Sequence, residues 1–173
     1  MSSKYKKGER KGAIVPFFFG VMLKDDIIKL VEEKISGTDC FLVEVKVSPS
    51  KIMVFIDKPM GIRIEDCVEV SRFLQDQLEN TDVFEQHELE VSSPGMDEPL
   101  KVLQQYQKRI GRMVNVITFD GLKHTGILIN ASEESMELEE TIQKKTNGKK
   151  EKMTELNTIP FSQIKETKVV ISL

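Results

Sequence analysis

Apolar residues alternate with polar partners at Phe41, Val43, Val45 and Val47, and again at Ile52, Val54 and Ile56. A period of two predicts two half-buried strands, and Ser48-Pro49-Ser50 between them is turn chemistry. On either side the period lengthens. Ile27, Leu30, Val31 and Ile35 recur at helical spacing over 25–36, ahead of Gly37, and no core pattern begins before Ile27. Cys67, Val70, Ser71, Leu74 and Leu78 line one face of a second helix over 65–79, and 88–92 reads as a third strand. The order is α-β-β-α-β, a small sheet covered by helices.

The second half has another rhythm. Val114, Val116 and Thr118 predict a strand that ends at the hairpin signal Asp120-Gly121. Residues 123–131 return, 132–135 turn, and Met136 and Leu138 open a further strand. The polar, lysine-rich stretch 141–155 centres on Asn147-Gly148 and reads as a long hairpin tip. A corner at Ile159-Pro160-Phe161 leads to a last strand over 167–173. Several short strands without a helix among them predict a small barrel. The fold class is α+β.

Between the halves lies LEVSSPGMDEPL, residues 89–100. Pro94 followed by Gly95 suits a type II turn with a left-handed glycine. Asp97 or Glu98 then caps a helix that starts at Pro99, a position where a missing N–H costs nothing, and that stops near Gly111. The divisions expected are an arm at 1–21, an α/β domain at 22–96, a connecting turn and helix at 97–111, and a barrel at 112–173. The arm is read as disordered or as the product of too early a start, with Val21 or Met22 a sensible true start.

The charge balance turns over at the same place. Residues 21–98 hold 8 basic and 18 acidic side chains, a net of −10, whereas 99–173 hold 12 and 9, a net of +3. The first half therefore repels phosphate, and its KH-like order lacks the Gly-x-x-Gly loop that would clamp a nucleic-acid backbone. In the second half Lys144, Lys145, Lys149, Lys150 and Lys152 form a cluster able to contact a nucleic-acid backbone without sequence preference. The plain alternative is a solvated loop. The apolar run 13–23 is broken by Pro16 and Gly20, too short to span a membrane, and followed by no small-residue cleavage site.

Chemistry is scarce. No phosphate-binding Gly-x-x-x-x-Gly-Lys, His-Glu-x-x-His or Gly-x-Ser-x-Gly signature occurs. His87 and His124 lie in different domains and read as surface or strand-edge residues. Glu65 and Asp66 open a helix, where they complement its dipole. Cys40 and Cys67 form no Cys-x-x-Cys pair, and Cys67 reads as a buried free thiol in a reducing compartment. No catalytic residue, cofactor or metal is expected.

Three stretches in order, IDKPMGIRIEDCVEVSRFL, LEVSSPGMDEPL and IPFSQIKETKVVI, resemble the ribosome maturation factor RimP family over nearly all of Met22 to Leu173. The resemblance implies an N-terminal α/β domain and a C-terminal Sm-like, SH3-type barrel. It also implies a non-catalytic, cytoplasmic, monomeric factor for late assembly of the small ribosomal subunit. Such a factor binds the free subunit, and its C-terminal domain engages a basic small-subunit protein near the decoding region. Ser92, Ser93, Pro94, Gly95 and Asp97 are then a domain joint first and a partner contact second. Family members usually have Arg where this chain has Glu98, so no contact of that Arg is carried over. The alternative is a stand-alone Sm-like RNA-binding module, which would form stable rings and bind short RNA alone.

Overall fold

The structure, a computed structural model, describes residues 15–146 and 148–171. The chain divides into two compact units, Met1–Pro94 and Gly95–Leu173, each with its own apolar core.

The first unit runs α1 (Val15–Ile35), β1 (Phe41–Val47), β2 (Lys51–Asp57), α2 (Ile64–Leu78), a one-turn α3 (Val83–Gln86) and β3 (Glu88–Ser92). Its sheet has the order β1-β2-β3. β1 and β2 pair antiparallel across the Ser48 turn, where the Ser48 hydroxyl accepts the N–H of Lys51 at 3.1 Å. β3 pairs parallel to β2, because α2 carries the chain back to the same end of the sheet before the next strand. Ile52, Val54 and Ile56 of β2, Val45 of β1, Ile27 and Val31 of α1, and Val70 and Leu74 of α2 build the core.

Three expectations change here. α1 begins at Val15, ten residues before its periodic stretch, so 15–21 belong to a helix and not to an arm. Leu23 is fully buried in the core, so the core pattern starts one turn before Ile27. The expectation of an arm at 1–14 falls outside the described residues. His87, expected at the surface, is buried: it closes α3, and its Nδ1–H donates to the Val83 carbonyl at 2.9 Å.

The second unit runs α4 (Leu103–Lys108), β4 (Met113–Thr118), β5 (Lys123–Ala131), β6 (Ser135–Thr146), β7 (Lys149–Pro160), a 3-10 turn at Phe161–Gln163 and β8 (Ile164–Val169). Its strands form one antiparallel sheet of order β7-β6-β5-β4-β8. The barrel expected from sequence is not closed: β7 and β8 stay at opposite edges, with no pairing between them among the described residues. Val114, Val116, Leu128, Met136 and Leu138 form the core, and Tyr106 of α4 meets Phe161 edge to face at 4.9 Å.

The hairpin between β4 and β5 is a three-residue loop, not the expected two-residue turn. The Gly121 N–H donates to Thr118 O and the Thr118 N–H to Leu122 O, both at 3.0 Å, with Gly121 at φ 86°. That is a three-residue hairpin loop closed by a left-handed glycine. Asp120 caps it by accepting the Thr118 hydroxyl and the N–H of Leu122, which holds its carboxyl below the usual carboxylate range.

Candidate partner-binding surfaces

The stretch from Ser92 to Glu98 straddles the division between units, at Pro94 and Gly95. Ser92 ends β3 half-buried opposite Phe55 of β2, while Ser93, Gly95 and Asp97 are exposed and Pro94 is half-buried. The turn is not where the Pro-Gly pair places it. The Glu98 N–H donates to Gly95 O at 3.1 Å, so Gly95 is the first residue of a turn whose centre is Met96-Asp97. Gly95 does not occupy the left-handed region.

The helix also starts late. Leu100 donates its N–H to Thr167 O at 2.8 Å, joining the β8 edge, and α4 forms only from Leu103. Its start is capped from within. The buried Gln105 amide oxygen accepts the N–H groups of Lys101 at 2.6 Å and Val102 at 3.2 Å. Neither Asp97 nor Glu98 caps it.

The lysine-rich stretch is a two-stranded ribbon. β5 pairs with β6 only as far as Gly126↔Glu140, whereas β6 and β7 continue to Thr146↔Lys149. Six further pairs at about 3.4 Å per residue carry the ribbon roughly 20 Å past the sheet. Cross-strand partners share a face. Lys145 stands opposite Lys150, and Lys152 opposite Gln143 lies two positions along, so these three exposed lysines share one face. Lys144 is on the other face opposite Glu151, and Lys149 pairs at the tip with Thr146. The five lysines are therefore not one patch.

At the ribbon's base, Glu140 accepts from Asn157 Nδ2 at 2.8 Å and lies 3.1 Å from His124 Nδ1, tying β5, β6 and β7 together. His124 is half-buried in this contact rather than free at an edge.

A cluster that sequence alone did not bring together sits in the first unit. Lys58 Nζ lies 2.9 Å from Asp66 Oδ1 of α2 and 3.3 Å from Asp39 Oδ1, ahead of β1. Asp66 also accepts the Arg63 N–H at 2.9 Å, as the acid of a capping box. The Lys58 bond, then the Arg63 N–H, holds the Asp66 carboxyl below its usual range. The three residues come from separate stretches of the chain, the loop after β2, the first turn of α2 and the bend before β1. Cys40 and Cys67 are free, half-buried thiols against the same core, and burial pushes the Cys67 thiol up.

A small acidic α/β unit followed by an antiparallel sheet that ends in a cationic ribbon defines the class: a two-unit α+β protein whose charged surfaces are its salient features. No helix among the described residues is long and apolar enough to cross a membrane. Residues 30–97 match the family model described as RimP N-terminal domain. A Porphyromonas gingivalis protein described as ribosome maturation factor RimP is 34% identical over 151 residues, covering 86% of this chain and 98% of the relative. A Cytophaga hutchinsonii protein of the same description is 35% identical over 161 residues, covering 87% and 95%. The chain belongs to the RimP family.

Proposed function

We propose that this protein acts in ribosome maturation as a cytoplasmic, monomeric docking factor for the free, immature small ribosomal subunit, performing no bond chemistry. In this reading the second unit engages the basic small-subunit protein near the decoding region, its ribbon faces rRNA, and the acidic unit faces a basic ribosomal protein. Ser92, Ser93, Pro94, Gly95 and Asp97 serve as a joint and a secondary contact. The second unit is read as an Sm-like sheet. Its helix-then-five-strands order supports this, as do register shifts at Ile117/Thr118 and Leu128/Asn130, where a sheet turns corners.

The observation that carries the reading is the pairing of Lys145 with Lys150 beside Lys152. Like charges directly opposite each other weaken a ribbon. Such an arrangement costs the free protein stability and becomes favourable against phosphate. The test is co-sedimentation with ribosomal particles at several salt concentrations. Wild type should migrate with the free small subunit. Neutralising Lys145, Lys150 and Lys152 to Gln should weaken binding and reduce the salt slope by about 0.7–0.9 for each phosphate the variant no longer neutralises. Lys144→Gln, on the other face, should change the slope less. An unaltered slope in the triple variant sinks the rRNA contact. A ring-sized oligomer that binds short RNA without the subunit would favour the stand-alone module instead.

A further inference from the structure

In the first unit, Met60 is 95% exposed, Ile64 80% and Val68 38%. Ile64 and Val68 are four apart on α2 and therefore neighbours on its outer face, away from the buried Val70, Leu74 and Leu78. Met60 lies in the loop that delivers the chain to that helix. Neither the loop nor the helix start is loose. Lys58 is held by Asp39 and Asp66, and its N–H donates to Asp57 Oδ1 at 2.8 Å. The Gly61 N–H closes a turn onto Lys58 O at 3.1 Å with φ at 100°, a conformation that suits glycine. Several polar contacts thus hold a short segment whose large apolar side chains nothing in the unit covers. An apolar surface already held in place loses little freedom on binding, which is what a docking surface requires.

The surroundings indicate the occupant. Exposed Glu65, Glu69 and Asp76 outnumber the exposed Arg72 along α2, and Glu69 lies 3.7 Å from Lys34 Nζ. Residues 15–94 carry 16 acidic and 8 basic side chains, a net of −8. A field of that sign attracts cationic partners and rejects nucleic acid.

We propose that Met60, Ile64 and Val68 form an apolar docking ridge for a cationic segment of a partner protein. The partner's apolar side chains seat on the ridge and its Lys or Arg side chains face Glu65 and Glu69. This rests on the reading that the acidic unit meets a basic ribosomal protein, and it names the surface that does so.

The experiment uses the full chain with Met60→Ser and Ile64→Ser combined, both at exposed positions, so the melting temperature should stay within a few degrees of wild type. Binding to immature small-subunit particles should fall about tenfold or more, as when central apolar anchors are removed. In parallel, methyl NMR of Met60 and Ile64 follows titration with three synthetic peptides that alternate Lys with Leu, Lys with Ser, or Glu with Leu. The Lys–Leu peptide alone should shift both methyls. Wild-type affinity in the double variant, or methyls unmoved by the Lys–Leu peptide, overturns the ridge. So does a wild-type dimer that the variant dissolves, which would make a second copy the occupant. Methyl shifts on deleting residues 2–11 would assign the ridge to the chain's own basic segment and overturn it equally. If wild type binds no small-subunit particle, the functional reading falls while the peptide titration still decides the ridge.

Discussion

A methyl group added at Gly126 would lie 2.3 Å from the Glu139 carbonyl oxygen and 2.9 Å from its carbon, both backbone atoms of the neighbouring strand. Neither strand can give way without breaking the β5–β6 ladder. Gly126→Ala should therefore lower stability by about 1–3 kcal/mol or more, as overpacking does, and thermal melting checks it. At Gly95 the same methyl meets side-chain atoms alone, Asp97 Oδ1 at 2.8 Å, the far end of a side chain that can rotate, and Glu98 Cγ at 3.4 Å, an ordinary contact. Gly95→Ala should stay within about 0.5 kcal/mol of wild type, as at most surface positions. A larger drop there would mean the Gly95–Glu98 turn tolerates no side chain. Asp66 makes a pH prediction. Its folded pKa is depressed, first by Lys58 and then by the Arg63 N–H. It contributes stability above the unfolded carboxylate value and loses that contribution as pH falls through the folded one. Urea unfolding of wild type and Asp66→Asn should thus show a gap at pH 7 that closes as pH drops below about 4. A gap independent of pH would rule out the ion pair as its source.

The β6–β7 ribbon carries a prediction of its own. Lys145→Glu replaces a like-charge cross-strand pair with an opposite-charge one, worth about 0.2–1 kcal/mol in the ribbon's favour. Amide exchange across 141–155 should slow while binding to the subunit weakens. If exchange slows and binding is unchanged, the lysines serve only to keep an edge strand from pairing with other chains, a recognised use of edge lysine. α4 shows why element boundaries move. Pro99 and the acids before it are good helix-start chemistry, yet β8 claims the Leu100 N–H and the buried Gln105 amide supplies the cap. A long-range pairing outcompeted a local preference.

Two separate cores predict separate responses to damage across the chain. Met136 is fully buried in the second unit, and Met136→Ala should cost about 2–5 kcal/mol there. Hydrogen exchange should accelerate at the amides of β4, β5 and β6, while those of β2 and α2 keep their protection, as independent cooperative units do. Equal acceleration in both units would show that they unfold together.

Much of this architecture is legible without coordinates. Period-two runs located β1 and β2, and the run at 114–118 located β4. The helical spacing of Val70, Leu74 and Leu78 located α2 and its buried face, and Gly148 marked the turn between β6 and β7. These depend on which face of an element meets the core, and a local pattern encodes that. The charge asymmetry and the three motifs that resemble RimP are likewise properties of the chain as written. Folding in three dimensions settled what depends on partners distant in sequence. It buried Leu23, left the five-stranded sheet open and moved the turn from Pro94-Gly95 to Met96-Asp97. Through the register of β6 on β7 it set Lys144 on the face opposite to Lys145, Lys150 and Lys152. It also brought Asp39, Lys58 and Asp66 together from two loops and a helix. Periodicity says that a residue faces inward or outward, but the neighbour it meets is chosen by packing and strand register, which no window of a dozen residues contains.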